Sequence, residues 1–176
     1  MELLVKKCGE DVDQTTNNGA TPMYVAAFNG HESTITLLHS LGADVNQADD
    51  EGTPPVCIAA LKGHAGVIEV LHSFGADVNQ ANNNGFTPVY IAAKSGHAGV
   101  IKVLHSFGAD VNQATSNGTT PILEAAANQH HSVLTLLRDL GASMPTNAID
   151  LVTVDDVVEF FMTLNVKHNY KILYFW

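Results

Sequence analysis

Four prolines, Pro22, Pro55, Pro88 and Pro121, stand 33 residues apart, and Gly42, Gly75, Gly108 and Gly141 keep the same interval. So do His31, His64, His97 and His130. A chain that repeats itself at a fixed period of this length folds as a stack of one supersecondary unit, each copy burying its apolar face against the next. In register, NGATPMYVAAFNGH, EGTPPVCIAALKGH, NGFTPVYIAAKSGH and NGTTPILEAAANQH are four versions of one phrase. Each is followed by an apolar stretch at helical spacing and by GADVNQA or its remnant.

The phrase reads as two helices and a turn. Thr21, Thr87 and Thr120 are N-cap residues whose hydroxyls accept a free backbone N–H, and the proline after each fits the first helical turn. Pro54 stands in the threonine column of the second copy and weakens that cap. The alanine pairs, Ala26-Ala27, Ala59-Ala60, Ala92-Ala93 and Ala125-Ala126, are helix-forming and small enough for close helix approach. Gly30, Gly63 and Gly96 then end the short helix in a left-handed conformation; Gln129 occupies that column in the fourth copy. The second helix carries apolar residues such as Val67, Ile68, Val70 and Leu71 and stops at the GAD glycine. Beyond it, Asp-Glu-Gly, Asn-Asn-Gly and Ser-Asn-Gly are hairpin-type turn signals.

The segments TPMYVAA, PPVCIAA, TPVYIAA and TPILEAA resemble the ankyrin repeat, whose T-P-L-H-x-A signature recurs at period 33. The resemblance implies an all-α fold, an ankyrin-repeat solenoid of helix-turn-helix units joined by β-hairpin loops. Tyr24, Cys57, Tyr90 and Leu123 replace the signature histidine, so its usual bond to the capping threonine is absent or remade. The expected division is a partial N-terminal capping repeat at 1–17 and repeats at 18–48, 49–81, 82–114 and 115–147. A degenerate C-terminal capping unit and tail follow at 148–176, where Thr153-Val154-Asp155-Asp156 reads as a capping box. The final YKILYFW is either a packed cap or an exposed contact segment.

Charge and motif content narrow the function. Eighteen acidic against eight basic side chains give a formal net charge of -10, which repels phosphate backbones and anionic lipid, so neither nucleic acid nor membrane is an expected partner. Cys8 and Cys57 are too few for a disulfide framework and indicate the cytoplasm or another reducing intracellular compartment. No apolar run is long enough for a signal peptide or a membrane span. His39, His72 and His105 fall on equivalent positions of successive repeats, roughly 8 to 10 Å apart, whereas zinc needs nitrogens within about 2.1 Å. No metal and no cofactor is expected. No nucleophile elbow, phosphate-cradling loop or HExxH helix is present, so the chain is read as non-catalytic.

A partner protein is the remaining expectation. Residues 63–81 and 96–114 differ only at Glu69 versus Lys102, which marks that stretch as scaffold. Variation concentrates at the hairpin tips and first-helix ends, positions that ankyrin proteins generally use to grip partners. The tip candidates are Asn17 and Asn18; Asp49, Asp50, Glu51 and Thr53; Asn83, Asn84 and Phe86; and Ser116, Asn117 and Thr119. The helix-end candidates are Phe28, Asn29, Leu61, Lys62, Lys94, Ser95 and Asn128. Phe28, Leu61 and Phe86 are the expected apolar anchors, and the acidic tips point to a basic segment on the partner. A monomer is expected; the competing reading is a structural segment of a longer scaffold or a self-associating chain. The resemblance also implies candidate asparaginyl hydroxylation at Asn46, Asn79 and Asn112, each preceded by a leucine six residues before Asp-Val-Asn. Against it stands a structural reading, in which these asparagines stabilise the turn by their own side-chain hydrogen bonds.

Overall fold

Short links between consecutive helices make them antiparallel neighbours, and the computed structural model, which describes residues 11–143, builds four such pairs. They are α1 (Pro22–Phe28) with α2 (Glu32–Ser40) and α3 (Pro55–Lys62) with α4 (Ala65–Ser73). Then come α5 (Pro88–Lys94) with α6 (Ala98–Ser106), and α7 (Pro121–Ala127) with α8 (His131–Asp139). The first helices pack in one row, α1 on α3 on α5 on α7, and the second helices in a parallel row. This is the expected all-α repeat solenoid. Cys8, the capping box at Thr153 and the YKILYFW segment lie outside the described residues.

Local chemistry sets the helix ends. The Thr21 and Thr87 hydroxyls accept the Tyr24 and Tyr90 amides at 3.1 Å. Thr120 does not follow: its hydroxyl is buried, makes no capping bond and has no other partner. That expectation is corrected: the extended N-cap backbone is present, at φ −93° and ψ 161°, but the hydroxyl accepts none of the free amides. At Pro54 the backbone carbonyl alone receives Cys57 N, at 3.0 Å. The turn glycines are required: Gly30 has φ 76°, and a Cβ on it would come within 3.0 Å of the His64 ring. Gln129 takes the same turn at φ 58°, which costs a residue with a side chain about 1–2 kcal/mol.

The core runs unbroken between the two rows. Met23, Ile35, Ile68, Leu71, Ile101, Leu104, Ile122 and Leu137 are completely buried, and the paired alanines of the first helices are buried with them. Each large apolar side chain so buried contributes about 1.5–3 kcal/mol.

The expected β-hairpins are reduced to tight turns, and no strand occurs among the described residues. Two backbone bonds close each loop, at 2.8–3.1 Å: Thr16 N to Ala20 O with Gly19 N to Thr16 O, and the same pairs at Asp49–Thr53, Asn82–Phe86 and Thr115–Thr119, where Gly52, Gly85 and Gly118 donate back. The remaining groups are used elsewhere. Asp49 Oδ1 accepts the amides of Glu51 and Thr53, and Asn82 Oδ1 those of Asn84 and Phe86. Tip amides donate to the preceding tip, Asp50 N to Asn18 O, Asn83 N to Glu51 O and Ser116 N to Asn84 O.

A second set of links forms a spine at the Asp-Val-Asn loops. Asn46 Oδ1 accepts Asp77 N at 3.0 Å while its Nδ2 donates to Gly75 O at 3.3 Å. Asn79 does the same with Asp110 N and Gly108 O, and Asn112 with Ser143 N and Gly141 O. The turn bond expected from the asparagines is made instead by Asp44, Asp77 and Asp110, each accepting the amide two residues on. At the C-terminal ends of the first helices, the Nε2 atoms of His64, His97 and His130 bond the carbonyls of Phe28, Leu61 and Lys94 at 2.9–3.2 Å. His39 and His72 stack on Phe74 and Phe107 with ring centroids 4.0 Å apart. These histidines are repeat-to-repeat fasteners.

Candidate binding face

The tips and the outward stripe of the first helices form one continuous face. Residues three and four apart on a helix share a side, so Tyr24, Val25 and Phe28 line up along α1. In the next repeats the Phe28 column is filled by Leu61, Lys94 and Ala127.

Exposure sorts the predicted anchors. Phe28 is 41% exposed and Leu61 42%, as the helix-end reading expects. Phe86 differs: it is half-buried, stacks on Tyr90 at 4.8 Å between centroids, and packs beside Cys57 and Ile91. The framework therefore uses it. Val25, 45% exposed, went unnoticed in the sequence because its column also holds Ile58 and Ile91, which are buried. Helices flank α3 and α5 on both sides, whereas among the described residues α1 has a first-helix neighbour on one side only.

The polar candidates divide similarly. Asn17, Asn18, Asp50, Glu51, Asn83, Asn84, Ser116 and Asn117 are exposed at the tips, and Asn29, Lys62, Lys94 and Asn128 at the helix ends. Thr53, Thr119 and Ser95 are half-buried. Asp49 is no free tip charge: it closes its own turn and faces the phenol of Tyr24. Burial first, then the carboxylates of Asp49 and Glu51, push the Tyr24 hydroxyl up to about 12. Asn29 and Asn128 return their amides to the carbonyls of Val25 and Glu124.

Toward the C-terminal end the face is internally paired. Tyr90 OH donates to Glu124 Oε2 at 2.8 Å, and Glu124 Oε1 receives Asn128 Nδ2 at 3.2 Å and lies 3.9 Å from Lys94 Nζ. Burial, followed by this carboxylate, raises the Tyr90 hydroxyl well above its ordinary value. Cys57 is fully buried, its thiol aimed at the carbonyls of Gln80 and Phe86, and burial pushes it far above the thiolate range. A thiol held in that form is structural. Among the described residues no three His, Cys, Asp or Glu side chains gather closely enough to hold a metal ion, and no helix is long and apolar enough to cross a membrane.

This architecture is matched by a family model for ankyrin repeats, three copies long, which aligns with residues 1–82 and 56–148. The chain belongs to the ankyrin repeat family. A comparison with curated proteins finds no match. Ankyrin repeats are generally protein-protein interaction modules and typically non-catalytic. Within this ankyrin chain, Asn46, Asn79 and Asn112 sit at the spine with both ends of each amide engaged by the following repeat. Both ends of the side chain therefore have a structural use.

Proposed function

We propose that this ankyrin chain is a non-catalytic, monomeric protein-binding module of a reducing intracellular compartment, holding a partner protein against its tips and first-helix ends. One observation carries the reading: residues that differ between repeats gather on this face, where Phe28 and Leu61 are exposed, whereas residues that bond repeat to repeat are kept. Single exposed apolar side chains are ordinary on any surface. Two of them in one column, on a face bordered by exposed polar tips, match the anatomy of an interface core and its rim.

The test compares the native chain with a Phe28→Ala/Leu61→Ala variant as bait in an affinity capture, after circular dichroism shows equal helicity. Capture of a protein by the native chain and its loss with the variant supports the reading. Equal recovery by both moves the contact off this face and overturns it. Sedimentation equilibrium checks the monomer, which a concentration-dependent dimer would refute.

A further inference from the structure

Apolar exposure on the face is confined to its N-terminal half. The large exposed apolar side chains among the described residues, Val25, Phe28 and Leu61, all lie on α1 and α3. On α5 and α7 the same columns hold buried Ile91 and then Lys94, Glu124 and Ala127, which are polar or small. An unpaired apolar patch beside polar tips is the form a docking surface takes, so the N-terminal half is open to an occupant that the C-terminal half does not invite.

Charge indicates what that occupant is. The ion pair among the described residues, Lys94 with Glu124, belongs to the C-terminal half, where Tyr90 and Asn128 complete the set. In the N-terminal half Asp50 and Glu51 are exposed with no cationic partner among the described residues. Asp49 faces Tyr24 one helical turn from Phe28, a separation of about 6 Å along the axis. The Phe28 ring already carries a cation: Lys62 Nζ lies 4.2 Å from its centroid, within the range at which an ammonium is drawn to a ring face. An acidic occupant would find Lys94 already paired and Lys62 already seated.

Resting on the protein-binding reading above, we propose that the partner element is a linear segment in which a lysine or arginine adjoins apolar residues. Its apolar side chains pack on Val25, Phe28 and Leu61. Its cation takes the place between the tip carboxylates and the Phe28 ring, competing there with Lys62. Long-range attraction to a chain of net charge -10 speeds the encounter and makes it sensitive to salt.

The probe is a displayed library of random linear peptides, selected on the full chain. The strongest peptide is then synthesised and titrated by fluorescence anisotropy. The expected winners place lysine or arginine next to aromatic or aliphatic residues. Removing the two anchors weakens the peptide by about tenfold or more, the range of a hot-spot truncation. Asp50→Asn/Glu51→Gln weakens it less and flattens its salt dependence, Lys62→Met tightens it, and Glu124→Gln leaves it unchanged. Acidic or uncharged winners, weaker binding to the Lys62→Met chain, or a loss confined to the Glu124→Gln chain would each overturn the proposal. So would tighter binding to a full-length Phe175→Ser/Trp176→Ser chain, which would make the chain's own C-terminal segment the occupant, or a dimer dissolved by the anchor variant, which would make it a second copy. If no peptide binds while the captured protein still depends on Phe28 and Leu61, this inference fails and the binding-module reading stands; if neither depends on them, both fail.

Discussion

The spine and the binding face are built from the same repeats and behave oppositely. At the spine, Asn46, Asn79 and Asn112 make the same two bonds to the same two positions of the following repeat. On the face, the column that begins at Phe28 continues as Leu61, Lys94 and Ala127, and the Val25 column ends at Glu124. A side chain that must bridge polar groups in its neighbour has few solutions: asparagine recurs at three junctions, and at the first Asp13 accepts Asp44 N alone. A side chain that ends in solvent has many.

The sharpest way to break this comparison is to make one substitution on both sides of it. Leu71→Ala removes a completely buried side chain and is expected to lower unfolding free energy by about 2–5 kcal/mol. Leu61→Ala, on the exposed side, is expected to change it by less than about 0.5 kcal/mol. Urea denaturation measures both, and comparable losses would mean that the face is framework after all. The next effect belongs to the spine. Asn79→Ala breaks two exposed bonds, to Asp110 N and Gly108 O, and at about 0.5–1.5 kcal/mol net for each should cost about 1–3 kcal/mol, against less than about 0.5 kcal/mol for Asn84→Ala at a tip.

Helix caps come next in size. Thr87→Ala deletes a working cap and should lose about 1 kcal/mol. Thr120→Ala, whose hydroxyl is buried and unpartnered, should lose less, and equal losses in urea would refute the distinction. The smallest effect is electrostatic. Tyr24 holds its proton to about 12, from an ordinary 10.0. The unfolded phenol therefore ionises first, and the contribution, complete below pH 10, is lost as pH rises through 12. Asp49→Asn keeps the turn geometry that Asn82 already shows and should move Tyr24 only part of the way back in an ultraviolet titration, because burial is the larger cause. A full return would make the carboxylate the principal cause.

The period, the helix starts and the glycine turns were legible because each depends on residues adjacent in sequence: a threonine, its proline, and a glycine a few positions on. What the sequence hid depends on partners a full repeat away. Tyr90 meets Glu124 across 34 residues, and Asn46 meets Asp77 across 31. Phe86 looked expendable because it packs beside Cys57, 29 residues back in the preceding repeat. Val25 shares a column with isoleucines, and only the packing on either side of α1 distinguishes it. Recurrence at an interval of 31 could have flagged the asparagine spine, since Asp44, Asp77 and Asp110 follow Asp13, Asn46 and Asn79 at that separation.

The unequal edges of the stack make it mechanically lopsided. At the tips, adjoining repeats are tied by one backbone bond, Asp50 N to Asn18 O for example, and Asn83 Nδ2 to Asp50 O joins the backbone bond at one junction. At the Asp-Val-Asn loops each asparagine supplies two ties, and Gln80 Nε2 to Asn46 O adds a third at another junction. Where the tip has its single tie, a push there breaks fewer bonds than the same push at the loop below, so the tip gives first, as a fingertip yields before a knuckle. That gives a firmly stitched stack a compliant rim.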